Sequence, residues 1–394
     1  MYTKEPELYI HPLSYSGPYQ KAIEVAEYYG FKVIPPVRGV SSIRKDMEPR
    51  NIFHRAYYLD PVQKILMSDY INSLNAPKST QHMLCQTRNA QKKDGGGINL
   101  SIVGNSKSIS EALIIKTAIS ILEEHNKNNF VVELNSLGDQ NSYRLFLKDF
   151  ILHYRKNINE IGDCCRTHMK NNPALLTVCP VELCREIRKE APRPINYLSE
   201  ASRNHLKSLI EYLESMGLQY RINNDLIGED YTAGTQISFV IKENDSNDPC
   251  EQKILARGER YNRYNHNNQQ KKVFPTVGIS IDINQSGKEE YLEEGARKNP
   301  DLYLVHLGTE AKRQSLQLIE LLRKKKIQIA QSLIYDDLSK QIKRAEYMNV
   351  AHTLIIGVKE AREKTVIVRN TNTRAQEVVP IDKLIGYLRH VHRL

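Results

Sequence analysis

The chain has 394 residues, 40% hydrophobic and 26% charged, which is ordinary for a globular protein and long enough for two or three domains, each with its own core. Its 56 Lys plus Arg outnumber 46 Asp plus Glu, and a formal charge of +10 with a pI near 9.1 favours a polyanionic partner such as nucleic acid. No apolar run approaches the roughly 18 to 20 residues that span a bilayer, and the opening MYTKEPELYIHPL lacks a basic segment followed by an apolar one, so a cytoplasmic protein with no membrane partner is expected.

In chain order, residues 18–29 (PYQKAIEVAEYY) carry apolar side chains at helical spacing and stop at Gly30, after which FKVIPP reads as a short strand closed by Pro35 and Pro36. QTRNA at 86–90 is followed by KKDGGGINLSIVG, whose glycines sit beside two lysines. That order is not G-x4-G-K-[ST], so the segment reads as a hairpin turn and not a phosphate loop. Ser108 to Glu124 forms a strongly amphipathic helix, with Ser108 and Glu111 placed for a capping box. In FVVELNSLGDQNSYRLFLKDFI a strand is expected at Val131–Leu134, a turn at Ser136–Asp139 and a helix at Ser142–Ile151.

Cys164, Cys165, His168, Cys179 and Cys184 come next. Their spacings are adjacent and then five apart, unlike paired Cys-x2-Cys knuckles, and six cysteines in all are too sparse for a disulfide scaffold. Reduced, partly buried thiols on helices are expected, and no metal. Residues 286–300 read as a charged helix and linker without strand signal.

From Asp301 the pattern is strand (LYLVHL), helix (Glu310–Lys325), strand (Ile327–Gln331), helix (Asp337–Met348), strand (HTLIIG), a hairpin (TVIVRN, QEVVPI) and helix (Lys383–His392), an α/β layer. This segment holds 17 Lys plus Arg and 10 Asp plus Glu, so +7 of the chain's +10 lies here.

Four stretches carry a resemblance: ELNSLGD at 133–139, LIGEDYTAGTQISF at 226–239, GERYN at 258–262 and PTVGISIDINQ at 275–285. They are similar to signature segments of histidyl-tRNA synthetases, which are class II aminoacyl-tRNA synthetases, and the helix–glycine–strand–proline element at 18–36 resembles the first motif of that class. The resemblance implies an α+β class II synthetase-like core, an antiparallel sheet flanked by helices, over residues 1–285 with a helical insertion at about 141–215. A linker at 286–300 and an α/β anticodon-binding-like domain at 301–394 follow. The first motif further implies a homodimer.

Activating an amino acid with ATP makes a carboxylate attack the α-phosphate, and fixed arginines with magnesium hold the growing charge. Framework positions of the family match here: Gly228, Asp230, Tyr231, Gly258, Arg260, Tyr261 and Gly278, with Arg88 in QTRNA as the surviving motif-two arginine. The charged reagents do not. Ile227 stands where the family has the arginine of R-G-L-D-Y-Y-T-G-T. Ala90 replaces the motif-two glutamate, and Asn284 and Gln285 close the segment that matches P-A-V-G-F-A-I-G-L-E-R. Val62, in LDPVQ, takes the place of the glutamate that receives the amino group of histidine, and valine cannot neutralise an ammonium. Losing one preorganised donor costs about 10² to 10³ in rate.

These losses imply a vestigial pocket on a protein that binds tRNA or tRNA-like RNA without efficient aminoacylation and needs no cofactor. Two other readings stay open. One is a divergent histidine-tRNA ligase using ATP and Mg, with Arg257 and Arg263 as relocated cations. The other is a regulatory subunit of ATP phosphoribosyltransferase, against which the domain at 301–394 argues. For RNA, the candidate contacts are Lys324, Lys325 and Lys326 at one helix end, and Lys340, Lys343 and Arg344 at i, i+3 and i+4 on the next helix.

Overall fold

The computed structural model describes residues 14–16, 19–34, 81–88, 96–171, 173–179, 181–227, 237–244, 252–265, 272–283, 290–292 and 300–392. Its larger sheet has eight strands: β2 (Lys32–Val33), β3 (His82–Arg88), β4 (Gly97–Val103), β5 (Phe130–Ser136), β6 (Tyr220–Ile222), β7 (Ile237–Glu243), β8 (Ile254–Asn265) and β9 (Lys272–Asp282). They lie in the order β2-β3-β4-β9-β8-β7-β5-β6, antiparallel except for the two short strands that add in parallel at the edges. The expected antiparallel sheet is borne out.

Period-two alternation gives this sheet two different faces. Ile98, Leu100, Ile102, Val277, Ile279, Ile281, Phe239 and Leu134 fill one face. It is packed with α1 (Gln20–Tyr28), α2 (Ile109–Glu124) and α6 (Glu200–Ser215) in a single apolar cluster. Gly258 sits on this face because the Phe239 ring crosses it: a Cβ there would lie 2.4 Å from the ring.

Two expectations fail around α2. Residues 109–122 are all buried, so the helix is enclosed on every side where an exposed polar flank was expected. Ser108 makes no side-chain cap, its own backbone being helical at φ -63° and ψ -15°, and the Glu111 side chain that would complete a capping box turns inward to Arg260.

Between β5 and β6 the insertion runs through α3 (Gln140–Lys156), capped by Asp139, then α4 (Asp163–Asn171), a 3-10 turn at Pro173–Val178 and α5 (Glu182–Lys189) before α6. It closes over a small core of its own that includes Phe146, Phe150, Tyr154, Cys165 and Leu176. Where no strand was expected, β10 (Glu290–Leu292) pairs antiparallel with β1 (Ser14–Ser16). Three residues carry too little alternation to signal a strand; a partner hundreds of positions away makes them one.

The C-terminal sheet comprises β11 (Leu302–His306), β12 (Ile329–Gln331), β13 (His352–Ile356), β14 (Thr365–Asn370) and β15 (Gln376–Pro380), in the order β12-β11-β13-β14-β15. Helices α7 (Thr309–Lys324) and α10 (Ile381–His392) cover the Leu302/Leu304 face, and α8 (Leu338–Tyr347) covers the Tyr303/Val305 face. A short helix, α9 (Val358–Glu363), follows β13 and carries no buried residue to mark it in the sequence.

This domain shares the apolar cluster of the core, and one group of polar contacts between the two meets at Glu320. Its carboxylate takes a hydrogen bond from the Tyr29 hydroxyl (2.7 Å) and lies 3.5 Å from Lys116 and 2.9 Å from Arg323, which also reaches Glu124 at 2.6 Å. Burial opposes the Glu320 charge, but these partners prevail and hold its carboxyl down to about 2.

Candidate functional site

The second face of the large sheet is polar. Gln86 and Arg88 on β3, Asn99 and Ser101 on β4, Ser280 and Asp282 on β9, Arg257, Glu259 and Tyr261 on β8, Ser238 on β7 and Glu133 and Asn135 on β5 all point the same way by strand alternation and register. Most are buried. A buried polar face on a sheet whose other face is apolar marks the side where ligand chemistry is placed. Some of its polarity is internally paired: Ser280 donates to Asn99 (2.5 Å), and Lys242 meets Glu133 at 3.0 Å. Arg88 Nε, Asn135 Oδ1 and Ser238 Oγ are buried there without a hydrogen-bond partner among the described residues.

Asp282 binds two arginines of this face. Its Oδ1 accepts from Arg88 and its Oδ2 from Arg257 (3.0 Å), so one carboxylate holds both arginines. In the pattern P-A-V-G-F-A-I-G-L-E-R, which PTVGISIDINQ resembles, Asp282 stands at the second glycine. The departure is visible in the sequence but was not singled out there. Among the described side chains on this face the cations are Arg88, Arg257, Lys242, Arg221 on β6 and Lys32 on β2, against the carboxylates Asp282, Glu259 and Glu133.

The sequence-derived pocket is divided by the fold. Arg88, Tyr261 and Gly278 lie on the polar face, whereas Gly258 and Arg260 lie on the helix-covered one. Arg260 is 0% exposed and grips Glu111 through Nε and Nη2 (2.5 Å for the latter), while Nη1 and Nη2 donate to the carbonyls of Asn105 (2.9 Å) and Lys107 (3.0 Å). His205 adds a contact of 2.7 Å to the same carboxylate. Arg260 is therefore a structural clamp between β8 and the start of α2, not a cation facing the pocket. Its motif match reflected this packing role.

Ile227, at the family's arginine position, is 2% exposed and belongs to the apolar core of the insertion with Leu137, Tyr143 and Phe146. Val62, Ala90, Gly228, Asp230, Tyr231 and Gln285 lie outside the described residues, as does the side chain of Arg263.

Lys324, Lys325, Lys326, Lys340, Lys343 and Arg344 are all exposed, but they do not form one surface. The first three end α7 on one face of the C-terminal sheet, and the others ride α8 on the opposite face. Lys324 is also drawn toward Glu320 at 3.5 Å. On α8, Tyr347 extends the stripe to i+7 and is 70% exposed, an aromatic beside three cations that was missed in the sequence although its spacing was readable. Arg344 stacks 5.9 Å from the Tyr335 ring centroid.

Residues 301–390 match the family model for an anticodon binding domain. The chain is 25% identical over 393 residues to the histidine--tRNA ligase of Caldanaerobacter subterraneus subsp. tengcongensis, covering 92% of each. It is 26% identical over 294 residues to that of Bacillus licheniformis, covering 74% of this chain and 68% of the relative. Among solved structures, apo histidyl-tRNA synthetase of S. aureus aligns over 93% of each chain with 18% identity and a TM-score of 0.46. The architecture is thus a mixed sheet with flanking helices followed by an anticodon-binding domain, in a chain similar to histidine-tRNA ligases along most of its length. No described helix is long and apolar enough to cross a membrane.

Proposed function

We propose that this chain is a histidyl-tRNA synthetase relative that binds tRNA or a tRNA-like RNA without efficient aminoacylation, as a cytoplasmic homodimer. It divides into a core at 1–285, a linker at 286–300 and an RNA-binding domain at 301–394. The reading rests on one observation: Asp282 occupies two neighbouring arginines of the polar face, Arg88 and Arg257. A triphosphate needs uncompensated cations and magnesium, and two arginines already bound to one carboxylate do not supply them, so this pair does not fit ATP with Mg. The apolar burial of Ile227 supports the same conclusion, because an arginine there would displace packed hydrocarbon and bury a charge.

RNA recognition is assigned to the α8 stripe of Lys340, Lys343, Arg344 and Tyr347, where three cations suit phosphates and the ring suits a base. Lys324, Lys325 and Lys326, on the other face, are left as a secondary electrostatic contribution.

The test is histidine-dependent ATP–pyrophosphate exchange by the purified full-length protein, with sequencing of the RNA that co-purifies. Absent exchange together with enriched tRNA or tRNA-like sequences is expected. Exchange at the level of an active ligase overturns the proposal.

A further inference from the structure

The insertion core holds a feature that RNA binding does not use. Cys165 on α4, Cys179 just after the 3-10 turn and Cys184 on α5 are all buried and all free thiols, and their sulfur atoms lie within 4.8 Å of one another. Cys165 Sγ is 3.2 Å from Cys179 Sγ and 3.3 Å from Cys184 Sγ. These separations exceed a disulfide bond of about 2.05 Å. They fall slightly short of the ~3.8 Å between thiolates around a tetrahedral ion with metal–sulfur distances of about 2.3 Å. Small χ1 rotations on three separate short elements span the difference.

A second observation points to the same spot. Tyr154 on α3 is wholly buried, its hydroxyl has no hydrogen-bond partner among the described residues, and it lies within electrostatic reach of Cys165, Cys184 and Arg188. A phenol O–H with no acceptor is costly to bury. Arg188 braces the loop by donating to the carbonyls of Thr177 (2.6 Å) and Cys179 (3.4 Å), and its Nε also lies 3.4 Å from the Asp225 carboxylate.

We propose that Cys165, Cys179 and Cys184 form a structural site for a soft divalent cation, zinc by its thiolate preference, that fastens α4, the 3-10 turn and α5 together. Binding exchanges three thiol protons for one M²⁺, giving a tris-thiolate with a fourth position for water. The mechanical reason is size: the insertion's core is small, and the elements that bring the three cysteines together are helices of eight to nine residues and a single 3-10 turn, too short to be stable alone.

The site is absent from sequence-level expectation because knuckle spacing is only one way to gather thiols. Here the 3-10 turn returns the chain so that positions 165, 179 and 184 converge.

The experiment measures metal in the full-length protein purified without chelator, followed by Co²⁺ titration of protein stripped of metal. Expected are one zinc per chain and, with Co²⁺, an intense thiolate-to-cobalt charge-transfer band with tetrahedral d–d absorption. Both should be lost in Cys165→Ser and Cys184→Ser and kept in Cys85→Ser. Should the cysteine variants fail to fold, the wild-type stoichiometry and spectrum still decide. Absence of zinc and of any cobalt spectrum in wild type overturns the proposal, as does metal retained by Cys165→Ser or a disulfide among these cysteines in its place.

Discussion

Replacing Arg260 with methionine removes the guanidinium that faces Glu111 inside the core. Burial opposes ionisation of Glu111, but the charge and hydrogen bonds of Arg260, helped by His205, outweigh it and hold the carboxyl down to about 2 from an ordinary 4.5. A folded-state value below the unfolded one stabilises above pH 4.5, and that contribution is lost as pH falls from 4.5 toward 2. The size of that drop corresponds to roughly 3 kcal/mol, in line with the cost of about 3–5 kcal/mol for removing one partner of a buried pair. The carbonyls of Asn105 and Lys107 also lose their donor. With 22 tyrosines and no tryptophan, urea unfolding of the full chain is followed by tyrosine fluorescence and far-UV circular dichroism. Arg260→Met is expected to lower unfolding free energy by about 3–5 kcal/mol. The double variant Glu111→Leu/Arg260→Met should recover more than half of the loss, because no charge is then left unpaired. A loss under about 1 kcal/mol, or a double variant no more stable than the single one, refutes the view that Arg260 is a structural clamp.

Asp282→Asn leaves Arg88 and Arg257 uncompensated. A charge removed about 6 Å from a bound phosphate is worth roughly 3 kcal/mol at an effective dielectric of 20, so calorimetry should find ATP affinity raised on the order of a hundredfold; unchanged affinity rules out Asp282 as the neutralising group. Changing Lys340, Lys343 and Arg344 together to glutamate should weaken tRNA binding and flatten its dependence on salt, while Tyr347→Ala should weaken binding and leave the salt slope intact. Equal filter binding by all three proteins at physiological salt places the RNA surface elsewhere. Burial, then the charge of Lys312, hold the His306 imidazole down to about 4 from 6.5, so the unfolded chain binds more protons in that interval and stability falls as pH drops from 6.5 toward 4. Thermal midpoints measured across that range should fall, and the fall should shrink in His306→Gln; equal slopes in both proteins exclude His306 as the source.

Local signals were enough where they were dense. The helix ending at Gly30, the strand and turn of ELNSLGD and the alternating elements beyond Asp301 were all readable, since each carries its periodicity and its stop residues within a dozen positions. The loss of arginine at Ile227 was equally legible, being a statement about residue identity. What the sequence could not say was which way a side chain faces once the sheet is registered. Arg260 and Tyr261 are neighbours in one motif, yet the pleat sends the arginine into the helix-covered core and the tyrosine onto the polar face. In the same way Asp282 acquires meaning only when β9 is set beside β8 and β4, bringing its carboxylate to Arg257 and Arg88. Three cysteines with no recognisable spacing meet because a 3-10 turn reverses the chain between them. Residue type is a property of one position, whereas charge balance, burial and convergence belong to pairs of positions far apart, and only long-range packing brings such pairs together.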